Sequence, residues 1–311
     1  MTLKKVNETD WALAFQKGFH SIFFDPKYLN VVKDAFGYEL NYYTFVKGNK
    51  LLFAAAMFSK NGNIVVPYAF TYNSIYFDQA VGDIVYIQIF EDFIELLKKD
   101  FKNLSLRLPP NITDIRPFKW SGFEITNSYT YIKDPTAKIK HKLLKKVSIT
   151  DKNLTFVEEE ISEANLTQHL HACFRYGLSK NYYEDYKELF LGLANKKYLK
   201  LLSLYKSDSL VTAQIALVDS SIKTLYTLFF NDFGNNTYVG SLNLATFNWC
   251  VENGITQVDM VGANDKGIAN FKYSFNAQLT PYFSVSYNRN KFLLKTALQK
   301  AKGYLKKILK R

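Results

Sequence analysis

The chain is poor in the groups that hold metals or covalent frameworks. Its 311 residues include only two cysteines and four histidines. Cys173 and Cys250 stand far apart, with no CxxC pair or histidine cluster beside them, which argues against a disulfide scaffold and a zinc site. His169 and His171 are two apart, a spacing that aims them in different directions on a helix, so they read as surface or packing residues. No metal is expected. Long apolar runs are missing too. The longest, Leu51 to Phe58, is far short of the roughly 20 residues that a membrane-spanning helix needs. Residues 1–10 lack the apolar block of a secretory signal, so the expected location is the cytoplasm. The loop GANDKG at 262–267 ends in no Lys-Ser/Thr pair and is not a nucleotide P-loop.

What is present is apolar and aromatic: 48% hydrophobic and 16% aromatic residues, enough to bury two cores of ordinary size. The formal charge is +12, from 40 Lys+Arg against 28 Asp+Glu. Its distribution is uneven. Arg289 to Arg311 carries nine basic and no acidic residues, and Lys138 to Lys146 carries five more basic ones. Without these fourteen, 26 basic residues face 28 acidic ones, so the body is nearly neutral and the basic character belongs to two segments.

The order of elements repeats. Helices are expected at Thr9–Gly18 and from Asp25-Pro26 to Gly37, the second because Asp caps orphan amides and Pro suits the first helical position. Strands follow at Tyr42–Val46, Leu51–Phe58 and Ile64–Phe70, with Asn61-Gly62 as the strongest hairpin signal. Asp83 to Asn103 reads as an amphipathic helix with Ile87, Phe90, Ile94, Leu97 and Phe101 on one face, and Leu104–Leu108 as a strand. In the second half, strands at Leu199–Tyr205, Leu210–Val218 and Lys223–Phe230 lead to a helix at Ser241–Asn253. Val81-Gly82-Asp83 before one helix matches Val239-Gly240-Ser241 before the other, a pattern of duplication.

The stretch Gly254 to Tyr287 organises the reading. Ile255 to Val261 alternates like a half-buried strand with Asp259 inside it; the loop then breaks it, and Ile268, Phe271 and Phe275 recur at helical spacing around Lys272. Tyr282 to Tyr287 closes the unit as a strand. A strand with an acidic residue, a Gly-bounded loop and an FK pair ahead of a final strand resembles the C-terminal signature of the Fem-type branch of the GNAT acyltransferase superfamily, which includes peptidoglycan-bridge aminoacyltransferases. The family's Phe-Gly is replaced here by Phe275-Asn276, and Asn tolerates positive φ second best after Gly. The resemblance implies an α/β fold of tandem GNAT-like domains, with mixed, mostly antiparallel sheets flanked by helices. The expected domains are 1–133, a basic linker helix 134–150, a catalytic domain 151–288 and a basic amphipathic tail helix 289–311.

It also implies roles. Transfer of an acyl group to an amine needs a bound donor, a deprotonated amine and donors for the oxyanion. Thr237, Tyr238, Val239, Gly240 and Ser241, at a helix start, are the expected site for a phosphate-bearing donor, although the usual spaced glycines are absent from NDFGNNTYVGS. Asp259 is the expected base, Lys272 the expected stabiliser of developing negative charge and Tyr287 an expected proton donor. Arg175, Tyr176, Asn181, Tyr183 and Phe271 are expected to bind the acceptor. The implied activity is N-acyl transfer from acyl-CoA, with no tightly bound cofactor, to an amine of a sugar, peptide or envelope precursor. One alternative is an aminoacyl-tRNA-dependent transferase acting on a peptidoglycan precursor or amino-lipid, with the basic segments holding RNA. Another is a catalytically silent binding protein. The tail 291–311 can pack its apolar stripe on the body, lie on the inner face of a membrane or bind RNA. Nothing points to DNA.

Overall fold

The computed structural model describes residues 3–18, 21–68, 70–140, 153–173, 183–231 and 238–294. In chain order the elements are β1 (Lys4–Val6), α1 (Glu8–Gly18), α2 (Pro26–Phe36), β2 (Glu39–Lys47), β3 (Lys50–Lys60), β4 (Asn63–Val65), β5 (Ser74–Phe77), α3 (Asp83–Asp100), β6 (Asn103–Arg107) and α4 (Arg116–Trp120). The remainder are β7 (Glu124–Lys133), β8 (Leu154–Glu159), α5 (Glu163–Cys173), α6 (Tyr183–Asn195), β9 (Leu199–Lys206), β10 (Ser209–Asp219), β11 (Thr224–Asn231), α7 (Val239–Glu252), β12 (Gln257–Asp259), α8 (Lys266–Tyr273) and β13 (Gln278–Asn288). No helix among the described residues is long and apolar enough to cross a membrane.

Local chemistry explains many of these boundaries. Asp25 Oδ1 accepts from Lys27 N at 2.9 Å and Pro26 opens α2, which ends at Gly37 in the left-handed region (φ 59°). Asn61 and Gly62, both at positive φ, turn β3 into β4. β4 stops at Val65 rather than running to Phe70. Pro67 stands two residues further on and cannot donate to a ladder.

The chain folds into two compact units that interleave in sequence. The first contains residues 1–14, 39–127 and 282–311, the second 15–38 and 128–281. Sequence order alone places 15–38 with the first half and 282–288 with the second. In the structure β7 and β13 each begin in one unit and end in the other, so the chain changes unit within a strand.

In the first unit the strands run β1-β2-β3-β4-β6-β13, with β5 also on β3. The core lies under α3, where Phe90 and Phe93 meet Phe53 at ring-centroid distances of 5.4 and 5.0 Å. In the second unit the order is β7-β12-β11-β10-β9-β8. Here α7 covers one face through Phe247, Trp249 and Cys250, which pack with Leu202, Ala216, Val218, Leu225 and Phe275. Both units share one topological step: β4 pairs with β6 in parallel across α3, and β11 pairs with β12 in parallel across α7.

Residues 15–38 are bound into the second unit by polar contacts. Buried Asp219 accepts from Ile22 N at 2.9 Å, and Tyr198 OH donates to Asp25 Oδ2 at 2.5 Å. Burial raises the Asp219 carboxyl above its ordinary range, while the amides of Ile22, Ser221 and Ile222 pull it back. Gly192 of α6 lets α2 approach; a β-carbon there would lie 2.7 Å from Val31 Cγ1.

The segment 134–140, expected to begin a linker helix, is a turn and coil instead. Asp134 Oδ1 accepts from Thr136 N at 2.8 Å and Asp134 O from Ala137 N at 3.0 Å. Such Asp-led local bonds compete with helix. Residues 141–150 and the tail beyond 294 lie outside the described residues.

Candidate active site

The second unit brings Asp259 and Lys272 to one loop. β12 pairs with β11 over only three residues, Thr224↔Gln257 to Tyr226↔Asp259. Beyond that point β11 continues from Thr227 to Asn231, while the segment after β12 stays with β7, Met260 N donating to Tyr131 O at 2.9 Å. The ladder between the two strands therefore ends directly after Asp259, an opening in the hydrogen-bond pattern beside β11 at the end of the sheet that leads into α7.

The turn that parts them is strained. Val261 has φ 43° and Gly262 φ 67°. For a β-branched residue this conformation costs about 1–3 kcal/mol and persists only where the surroundings impose it. Two side chains impose it here. Asp259 Oδ1 accepts from Val261 N at 2.9 Å and from Thr130 Oγ1 at 2.5 Å. Lys272 Nζ donates to the carbonyls of Met260, Val261 and Gly262. An ammonium has three protons, and all three are spent on this loop. The expectation that Lys272 faces the transferred group thus meets a different geometry, because its charge is turned inward onto backbone. Burial pushes the Lys272 amine down to about 8, with the Asp259 carboxylate acting in the opposite sense.

α8 delivers Lys272 to this position. Its N-cap Asp265 accepts from Gly267 N and Ile268 N at 2.8 and 3.0 Å, which fixes the helix start. Phe271 is half-buried and meets Phe275 edge-on at 5.0 Å, as part of the packing against α7 rather than an open acceptor surface. Asn276 takes φ 58°, the left-handed turn expected of it.

The start of α7 borders the same opening. Tyr238 is its N-cap, with no side-chain capping bond, and no acidic residue stands in the first turn. Val239 and Gly240 begin the helix. Ser241, expected at the donor site, is inside the first turn and buried. Lys206 Nζ donates to Tyr238 OH at 3.1 Å, which sets a cation at the hydroxyl end of the N-cap side chain.

Tyr287 belongs to the first unit, whereas Asp259 and Lys272 belong to the second. It is packed in the core against Phe123 and Phe292, with Lys98 Nζ 4.4 Å from its ring centre. Its place in a core explains why a closing strand needs an aromatic there, and it gives no support to a proton-donor role. Tyr183 opens α6 in the second unit and is half-buried. Thr237, Arg175, Tyr176 and Asn181 lie outside the described residues. Thr130 and Lys206 are the contributors that sequence reasoning missed. Nothing local marks either; only the pairing of β7 with β12 brings Thr130 to Asp259.

No protein-family model matches the sequence, and no curated protein matches it. The architecture is that of the tandem, Fem-like GNAT fold. Among solved structures the chain is similar to FemX, with a TM-score of 0.62 at 10% identity over 95% of this chain and 99% of that one. It is similar to the C-terminal domain of a putative lysylphosphatidylglycerol synthetase from Agrobacterium fabrum (TM-score 0.57, 12% identity, 94% of each chain). It is also similar to a tandem GNAT protein from the clavulanic acid biosynthesis pathway (TM-score 0.51, 11% identity, 92% of this chain and 98% of that one).

The buried lysine gives a pH test. The unfolded state holds the lysine proton up to about 10.4 and the folded state only to about 8. Between those values the unfolded state binds more protons, so this residue's contribution to stability rises with pH. Denaturant melts should show the stability difference, wild type minus Lys272→Met, growing by on the order of 2 kcal/mol from pH 8 to pH 10. A flat difference would mean that the three carbonyls keep the amine protonated.

Proposed function

We propose that the protein is a GNAT-type N-acyltransferase that moves an acyl group from a phosphate-bearing carrier, acyl-CoA, to an amine of a sugar, peptide or cell-envelope precursor. The observation that carries this reading is the parting of β11 and β12 beside the uncapped start of α7. First-turn helix amides and the positive end of the helix dipole suit a phosphate, and Lys206 adds a cation. The edge of β11 beyond Tyr226, where the β12 ladder has ended, offers backbone donors and acceptors to an extended carrier arm, as strand addition does elsewhere. Transfer then rests on holding donor and amine together, with backbone amides at the opening receiving the oxyanion.

In this reading Asp259 and Lys272 are positioning residues that keep the Met260–Gly262 turn in place. The acceptor approaches from the opening, and the acid at 259 acts through the turn it holds. Aminoacyl-tRNA is the second donor reading. It is favoured by the likeness to FemX and to a lysylphosphatidylglycerol synthetase, and by the basic segments at 138–146 and 289–311. Peripheral contact with the inner membrane face through 291–311 fits either donor.

Two measurements test the proposal. Coenzyme A and acetyl-CoA should raise the melting temperature saturably, and Lys206→Glu should weaken their binding about tenfold, since it reverses a charge beside the helix start. No response to either compound, with transfer that ribonuclease abolishes, would replace acyl-CoA by aminoacyl-tRNA. Asp259→Asn retains an Oδ1 acceptor for Thr130 and Val261, so an anchor survives it. Activity is expected to stay within about tenfold of wild type, whereas a general base would lose roughly a hundredfold or more.

A further inference from the structure

One face of the first unit sets exposed apolar side chains beside cations. Residues 289–294 begin a helix directly after β13, with Asn288 Oδ1 accepting from Lys291 N at 2.8 Å. Arg289 donates to the carbonyls of Lys98 and Phe101 at the end of α3, and Phe292 meets Tyr287 at a ring-centroid distance of 5.4 Å. Gly122, at φ 81°, makes room for the Phe292 ring, since a β-carbon there would lie 2.3 Å from its Cε2. These contacts fix the helix start to the unit and fix its phase as well. Phe292 turns inward, while Leu293 and Leu294 are 58% and 64% exposed. Two positions apart on a helix, Phe292 and Leu294 lie on opposite sides.

The sequence from 291 to 311 has no tryptophan, and the fold brings one beside it. Trp120 ends α4 two residues before Gly122 and is 60% exposed, with the Arg116 guanidinium 5.8 Å from its ring centre. Lys119 and Lys291 line one open groove of about 730 Å³, together with Gly122 and Phe292 and the polar side chains of Ser105 and Ser286. Asp114 is paired with Arg116 at 2.7 Å and Glu124 with Lys291 at 2.6 Å, so neither acid leaves an unmatched charge here. From 295 to 311 the sequence adds seven basic and no acidic residues, and Leu298, Ala301, Leu305 and Ile308 continue the spacing of Leu294.

We infer that this face docks on an anionic lipid bilayer, with Trp120, Leu293 and Leu294 entering the interface and Lys119, Lys291 and the basic residues past 294 meeting lipid phosphates. A tryptophan places an apolar body and one N–H donor at such a boundary, and the leucines add apolar area. Lysines and arginines near an anionic leaflet are drawn to it, and that attraction complements the charge found here. RNA would use the cations, but exposed leucines give it neither charge nor a stacking ring. A second copy would bring the same cations against these. The first unit, and not the tail alone, is thus the membrane-facing part of the chain. The inference goes beyond the transferase reading and does not rest on it.

The test sediments the full-length protein with vesicles of phosphatidylcholine alone and of equal parts phosphatidylcholine and phosphatidylglycerol. Binding is expected to the anionic vesicles only, with a blue shift of tryptophan emission. Trp11 and Trp249 are buried in the free protein, so the shift reports Trp120. Trp120→Ala should abolish it. That variant and the pair Leu293→Ser with Leu294→Ser should each weaken vesicle binding about tenfold, by removing apolar area, and should melt no lower than wild type because these side chains are exposed. Equal binding to both kinds of vesicle, or binding with no emission shift that both variants retain in full, overturns the inference; the second result would leave the tail alone on the membrane. So would failure to bind either vesicle, whether the face then captures RNA or joins two copies in a dimer that Trp120→Ala dissociates. Vesicle binding without any response to CoA, acetyl-CoA or tRNA would sink the transferase reading and leave this inference standing.

Discussion

One clamp sets the geometry of the second unit. Val261 sits where a β-branched residue rarely goes, and the turn exists because Lys272 grips three successive carbonyls while Asp259 holds the amide between them. The same segment is held from the other side by β7, where Met260 N and Ala263 N donate to Tyr131 O and Tyr129 O, both at 2.9 Å. The opening, and every role assigned around it, depends on this turn. A buried lysine is an expensive device for holding a loop, since desolvation disfavours its charge. Its cost is offset by three carbonyls that would otherwise be buried without donors.

The two units repeat one topological step and differ in chemistry at the equivalent helix. α3 begins after Gly82 with Asp83 in its first turn, and an acid there complements the dipole and repels an anion. α7 begins after Tyr238 with no acid and with Lys206 nearby. The first unit keeps its aromatic core under α3, where Phe53, Phe90 and Phe93 leave little polar surface. The second has a layer of polar side chains under α7. The same topological step thus carries an acid at one helix start and none at the other.

Much of the fold was legible where local chemistry decides it. Asp25-Pro26, Gly37, Asn61-Gly62 and Asn276 each announce a cap or a turn, and each is found as one. The meanders at β2–β4 and β9–β11 follow from alternation and turn residues. What was not legible depends on pairing across the chain. No local signal says that 15–38 joins the second unit through Asp219, or that β7 supplies Thr130 to Asp259. Lys272 read as a helix lysine near a reacting group because spacing locates a residue on a helix but not the direction of its charge. β1, β5, α4, β7, β8, α5 and α6 were missed, the first three because they are short.

Hydrogen–deuterium exchange with and without acetyl-CoA tests the central claim most directly, because it reports where the donor lies without assuming a reaction. Protection is expected in the β11 segment after Tyr226 and in the first turn of α7, with the Met260–Gly262 turn slowed as well, and none at the start of α3. Protection confined to the first unit, or to the basic segments alone, would contradict the assignment of the donor site to the opening between β11 and β12.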